Sequence, residues 1–150
     1  MNLTHINESG GAVMVDVGSK PVTEREARAR AYVRVSPATI TLLKSNNVPK
    51  GDVLACTRVA GIIAAKKTPE LIPLCHTIPL TFAGIDIDVN EDNLEITSVI
   101  RCAYKTGAEM EALTAVSVAA LTVYDMLKAV DKHIVIDGIT LLSKTGGSHG

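Results

Sequence analysis

Residues 23–35, TEREARARAYVRV, admit two secondary structures, and the choice between them decides the fold. Thr23 followed by Glu26 is the pattern of a capping box, in which a hydroxyl and a carboxylate satisfy free N–H groups at a helix start. Against it, Ala27, Ala29, Ala31, Val33 and Val35 alternate with Arg28, Arg30, Tyr32 and Arg34. Side chains alternate between two faces in a strand, not in a helix. The sustained alternation outweighs one cap. This stretch is read as a strand with an apolar face and an arginine-rich outer face.

The neighbouring segments extend that choice in both directions. Ser36-Pro37 places an N-cap serine before a proline at the first helical position, and Asn46-Asn47 ends the short helix ATITLLKS. Asp52 caps a second helix to about Lys67, with Val53, Leu54, Val59, Ile62 and Ile63 inside. In TFAGIDIDV, Ile85, Ile87 and Val89 alternate with Asp86 and Asp88; NEDN is a turn, and LEITSVIRCAY returns as the partner strand. A long helix is predicted over Ala108 to Val130, and HIVIDGITLLSK closes the chain as a strand bent at Gly138. Strand, two helices, two strands, helix, strand is the split β-α-β plan. The predicted class is therefore α+β, a ferredoxin-like antiparallel sheet with helices packed on one face. Residues 1–20, which lack a sustained period and contain Gly10-Gly11, are read as a flexible arm. Residues 21–145 form a single domain, and 146–150 a flexible tail.

Composition narrows the function classes. With 47% hydrophobic and 21% charged residues the chain suits a soluble domain, and 3% aromatics leave a core of Ala, Val, Ile and Leu that lets elements approach closely. A net charge of −1 argues against broad electrostatic binding to nucleic acid or to a membrane surface. Cys56, Cys75 and Cys102 have no paired spacing, and no charged start with an apolar run opens the chain, so a reducing, cytoplasmic setting is expected. The uncharged run from Ala112 to Tyr124 is shorter than the roughly 20 residues that span a bilayer. Apolar on every face, that helix should be buried on every face, which implies an oligomer interface.

Several residues have both a plain and a chemical reading. Cys75-His76 lies in LIPLCHTIPL, which Pro73 and Pro79 keep from being helical. The remaining histidines, His5, His133 and His149, offer no zinc spacing, so no metal site is expected. Adjacent side chains on an extended segment point apart, so His76 is poorly placed as a base for a Cys75 nucleophile, and a pocket wall is the leading reading. Lys50, before the capped start of the second helix, is either a solvated lysine or part of an anion site. Asp125 and Lys128, three apart on the long helix, are either a surface ion pair or a functional pair at the rim of a buried surface. Glu109 and Glu111 match the helix dipole, or else read the amidine edge of a purine or pterin. KTG at 105–107 lacks the partner motifs of penicillin-recognising enzymes and is set aside, as is KTGG near the end of the chain.

Taken together, MVDVGSKPVTEREARA (14–29), KGDVLACTRVAGIIAAKKTPELIPLCHTIPL (50–80), KTGAEMEALTAVSVAALTVYDMLKAVDK (105–132) and LLSKTGG (141–147) resemble the cyclic pyranopterin monophosphate synthase family of molybdenum cofactor biosynthesis. The resemblance covers nearly the whole chain. It implies a phosphorus-oxygen lyase acting on 3′,8-cyclo-7,8-dihydroguanosine 5′-triphosphate from an upstream radical enzyme. The purine is rebuilt as a pterin, a cyclic phosphate closes and diphosphate leaves. It also implies a ferredoxin-like fold, a homohexamer built as a trimer of dimers, and no resident cofactor, with Mg²⁺ on the substrate phosphates left open. By motif, Leu74, Cys75, His76, Glu109, Met110 and Glu111 line the substrate pocket, His76 being the ligand contact, and Lys50, Asp125 and Lys128 are catalytic. Glu111 and Asp125 stand 14 residues apart, about 21 Å along a helix axis. A site shared by two chains is therefore expected, with Asp125 and Lys128 facing the pocket that holds the partner's Lys50 and the partner's His76. The competing class is a non-catalytic nucleotide-binding regulatory module, which would need cations but no acid–base pair.

Overall fold

A computed structural model of the chain describes residues 6, 7 and 10–147. Its elements are β1 (Thr23–Arg34), α1 (Pro37–Lys44), α2 (Val53–Leu71), β2 (Leu80–Val89), β3 (Asn93–Tyr104), α3 (Glu109–Leu127) and β4 (Val135–Thr145). The sheet has the order β2-β3-β1-β4 with every pair antiparallel, the ferredoxin-like arrangement the segment order implied. β1 is central. Ala27, Ala29, Ala31 and Val33 are fully buried under the helices. The capping-box residues take strand roles instead. Thr23 lies opposite Tyr104, and the Glu26 carboxylate accepts from Arg28 and Arg101 at 2.9 and 2.8 Å. On the outer face Arg30 and Arg34 flank the Tyr32 ring, at 5.0 and 5.3 Å from its centroid.

Caps set most boundaries where expected. Ser36 Oγ accepts from Thr39 N and Asp52 Oδ1 from Ala55 N. Helix α2 runs past Lys67 to Leu71 because Pro69 lies in its last turn, where it forfeits one backbone bond, and Ile72 N–H still closes on Thr68 O. Helix α3 ends earlier than expected, at Leu127, whose carbonyl accepts from both Val130 and Asp131. Asp131, 6% exposed, then ties this corner together. It accepts from Ser36 N, Thr39 Oγ1 and His133 N at 2.7 to 2.9 Å, joining the start of α1 to the end of α3. β4 bulges against β1, and the bend falls at Gly138, whose positive φ and contact with Tyr32 leave no room for a Cβ.

The two long helices meet through small residues. A Cβ on Gly61 would stand 2.8 Å from the Ile85 side chain and 3.3 Å from Ala115 O, so α2 lies close on the α3 backbone and Ile85 of β2 fills the space a side chain would need. Among the described residues α3 alone is long and apolar enough to cross a bilayer, yet it is this domain's core helix, with Ala112, Val116, Ala119 and Val123 fully buried. Its outer side keeps Leu121 and Tyr124 exposed, as Val59 and Ile63 are on α2.

Of the arm expected over 1–20, residues 1–5, 8 and 9, including His5, lie outside the described residues; so do 148–150 of the tail, with His149. The described stretch before β1 is pinned to the domain. Val17 is buried, Val15 O accepts from His76 Nε2 at 2.6 Å, and Gly18 O accepts from Lys105 Nζ at 3.2 Å.

Candidate active site

One end of α3 opens on a cavity of about 380 Å³. All six residues assigned to the pocket by motif line it: Leu74, Cys75 and His76 from the segment after α2, and Glu109, Met110 and Glu111 from the first turn of α3. Pro73 and Leu74 form a turn that the Cys75 N–H closes on Ile72 O, and from Cys75 to Pro79 the chain runs without helix, so the group passes across the start of α3 instead of continuing α2. The loop from Lys105 to Ala108 closes the floor so tightly that a Cβ on Gly107 would collide with Glu109 Oε2.

Four cations share this wall: Lys20, Arg25, Lys105 and Lys144. None was foreseen as a site residue. Arg25 carries a signal that was available, since it has the parity of Ala27 and Ala29 and thus breaks the apolar face of β1 at its end. Arg25 donates to the Tyr104 and Lys105 carbonyls, and Lys144 pairs with Glu109 at 3.5 Å.

The electrostatics separate the members of this wall. Burial, reinforced by the nearby Glu111 charge, pushes the Cys75 thiol up to about 11, so it is a thiol and not a thiolate at neutral pH. Burial also raises the Glu111 carboxyl, against the pull of its own backbone N–H and of the Cys75 thiol. His76 is held by the arm. Because a carbonyl can only accept, its Nε2 carries the hydrogen that binds Val15 O.

The other three site residues form a separate group. Lys50 Nζ donates to Asp125 O at 2.9 Å and to Asp125 Oδ2 at 3.2 Å, while Lys128 Nζ meets Asp125 Oδ1 at 3.0 Å. Lys128 and then Lys50 hold the Asp125 carboxyl below its ordinary value. The expected grouping is corrected here: Lys50 was to share a pocket with His76 opposite Asp125, but it contacts Asp125 of its own chain. The reason is the short crossing from α1 to α2, which sets Lys50 beside the last turn of α3. The cavity group and the lysine group therefore lie at opposite ends of one helix. Among the described residues, no three His, Cys, Asp or Glu side chains gather as a metal site.

A ferredoxin-like sheet whose helices hold a buried carboxyl beside a wall of cations defines an α+β protein with a pocket for a small anionic molecule. Residues 14–147 match the MoaC family, and the chain belongs to it. It is 55% identical over 150 residues to the cyclic pyranopterin monophosphate synthase of Herpetosiphon aurantiacus, covering 99% of this chain and 92% of that protein. The protein of the same name from Chloroflexus aggregans is 57% identical over 150 residues, covering 99% and 91%. That from Streptomyces coelicolor is 55% identical over 148 residues, covering 99% and 87%.

Proposed function

We propose that the chain is a cyclic pyranopterin monophosphate synthase, a lyase that converts 3′,8-cyclo-7,8-dihydroguanosine 5′-triphosphate to cyclic pyranopterin monophosphate and diphosphate in the cytoplasm. The observation that carries the reading is the cavity itself. It gathers both pocket motifs beside Lys20, Arg25, Lys105 and Lys144, in a chain this close to proteins of that name. A triphosphate needs such cations, and phosphodiester closure with loss of diphosphate calls for positioning and charge compensation, not a covalent intermediate. A thiol held near 11 fits that chemistry, because Cys75 then shapes the wall and attacks nothing. The ring sits against Leu74, Met110, Glu109 and Glu111, and His76 reaches it when the arm carbonyl is exchanged for substrate. No resident cofactor is required by these roles, and any Mg²⁺ arrives with the phosphates.

The lysine group completes the site from a second chain. Lys50 and Lys128 supply cations and proton transfer, and Asp125, gripped by both, aligns them. Two antiparallel α3 helices packed side by side would bring this group to the partner cavity and cover the exposed Leu121, Tyr124, Val59 and Ile63. Three such dimers make the proposed homohexamer. The test of the function is direct: the purified protein is incubated with the cyclised triphosphate, and pterin fluorescence after oxidation is measured together with released diphosphate. Conversion is expected. Tight binding without product would overturn the assignment in favour of a nucleotide-binding regulatory module.

A further inference from the structure

Glu111 is 1% exposed, and its two carboxyl oxygens meet different neighbours. Oε2 lies 3.6 Å from Cys75 Sγ, which among the described residues is the one side-chain donor that reaches the carboxyl. Oε1 is buried and has no hydrogen-bond partner among the described residues. Around it, the segment after α2 contributes Cys75 and His76, β3 contributes the buried Cys102, and α3 contributes Glu109. Three of the four cavity cations are committed elsewhere. Arg25 binds the Tyr104 and Lys105 carbonyls, Lys105 binds Gly18 O, Lys144 pairs with Glu109, and Lys20 makes no hydrogen bond or ion pair with Glu111.

An ionised carboxyl in this position would be a buried charge with no cation, and such a group takes up a proton instead. The thiol does not offset the charge, since Cys75 Sγ stands 3.6 Å from both Oε2 and the His76 carbonyl and has one hydrogen for the two acceptors. Glu109, by contrast, has Lys144 as counter-ion. Two neighbouring carboxyls with unlike surroundings are a familiar way to divide acid and base work.

We propose that Glu111 is held as a neutral carboxylic acid, and that it is the general acid that protonates the departing nitrogen when a ring C–N bond of the bound nucleotide is hydrolysed. This role rests on the reaction proposed above. The C–N electron pair goes to nitrogen, which takes the Glu111 carboxyl proton. Water forms the new C–O bond, and the proton it sheds restores Glu111.

The protonation state is tested without substrate. Full-length protein labelled with ¹³C at the glutamate δ-carbon is titrated by NMR. One resonance should titrate above the ordinary glutamate range of about 4.3. It should be missing from Glu111→Gln and move further up in Cys75→Ala, which removes a hydrogen bond favouring the ionised form. If every glutamate titrates in or below the ordinary range, or the outlying resonance survives Glu111→Gln, the proposal fails. Should Glu111→Gln not fold, an outlier unmoved by Cys75→Ala overturns it instead. In turnover, Glu111→Gln should lower kcat by about 10² to 10⁴ with KM little changed; an equal loss through KM alone would refute the acid role. A wild-type protein that converts no substrate would sink the function reading and leave the titration result standing.

Discussion

Lys128→Ala and Glu111→Gln chains, each impaired alone, should rescue one another when dissociated and reassembled together. The cavity group and the lysine group are separated by the length of α3. From Glu111 to Asp125 is 14 residues, about 21 Å at ~1.5 Å per residue, with an uncharged surface between. One substrate does not conveniently bridge that span on a single chain. With sites shared across a two-fold axis, a mixed dimer carries both defects in one site and neither in the other. Random assembly of equal amounts makes half the dimers mixed, so about a quarter of wild-type activity should return. The assay is pterin formation by the mixture, with mass spectrometry verifying the mixed dimers. A control sharpens it: Lys50 and Asp125 touch within one chain, so Lys50→Ala mixed with Asp125→Ala should recover nothing. Verified mixed dimers that stay at the parental level would refute the shared site.

Asp131 sets a pH dependence of stability. Burial alone would raise its carboxyl, but the backbone N–H groups of Ser36 and His133 and the Thr39 hydroxyl outweigh that and hold it at about 2, below the ordinary 3.8. Its contribution of about 2 kcal/mol is complete above 3.8 and is lost as pH falls through about 2. Asp131→Asn should therefore lose about that much at pH 7 and little at pH 2, as measured by urea unfolding; parallel pH curves for the two proteins would contradict the clamp. Cys75, with its thiol at about 11, should resist iodoacetamide at pH 7 and react about tenfold faster per pH unit on the way up. Peptide mapping that finds rapid modification at neutral pH would show that the thiolate is already present.

The sheet was legible because burial enforces period two. Each of Ala27, Ala29, Ala31 and Val33 is buried to completion, and no competing cap could change which face they share. Cys75-His76 was legible as a pocket wall from its proline-flanked setting, whereas EME took its pocket role only through resemblance, since two glutamates at a helix start equally match the helix dipole. Lys105 and Lys144 were hidden for a different reason: KTG and KTGG match no local phosphate loop, and their lysines meet only after β3 and β4 are placed on either side of β1. Arg25 has the parity of the alanines, a signal that the alternation from Ala27 onward leaves out. The Lys50–Asp125 contact spans 75 residues of sequence, and no periodicity encodes such a distance.

Helix α3 carries the cavity acids at its first turn and Asp125 at its last, over 19 residues, with Lys128 as its C-cap. That makes it a spacer with a phase as well as a length. One inserted residue between Val116 and Val123 would push the far end by about 1.5 Å and rotate it by about 100°. Asp125 would then swing away from Lys50, and the buried alanine stripe would turn off the sheet. Two insertions would not repair the angle; about seven would nearly restore it, at the cost of some 10 Å of extra length that the proposed two-fold partner could not match. Length variation in this lineage should therefore collect in turns such as Asn90–Asn93, where neither the sheet nor the proposed second chain depends on distance or phase.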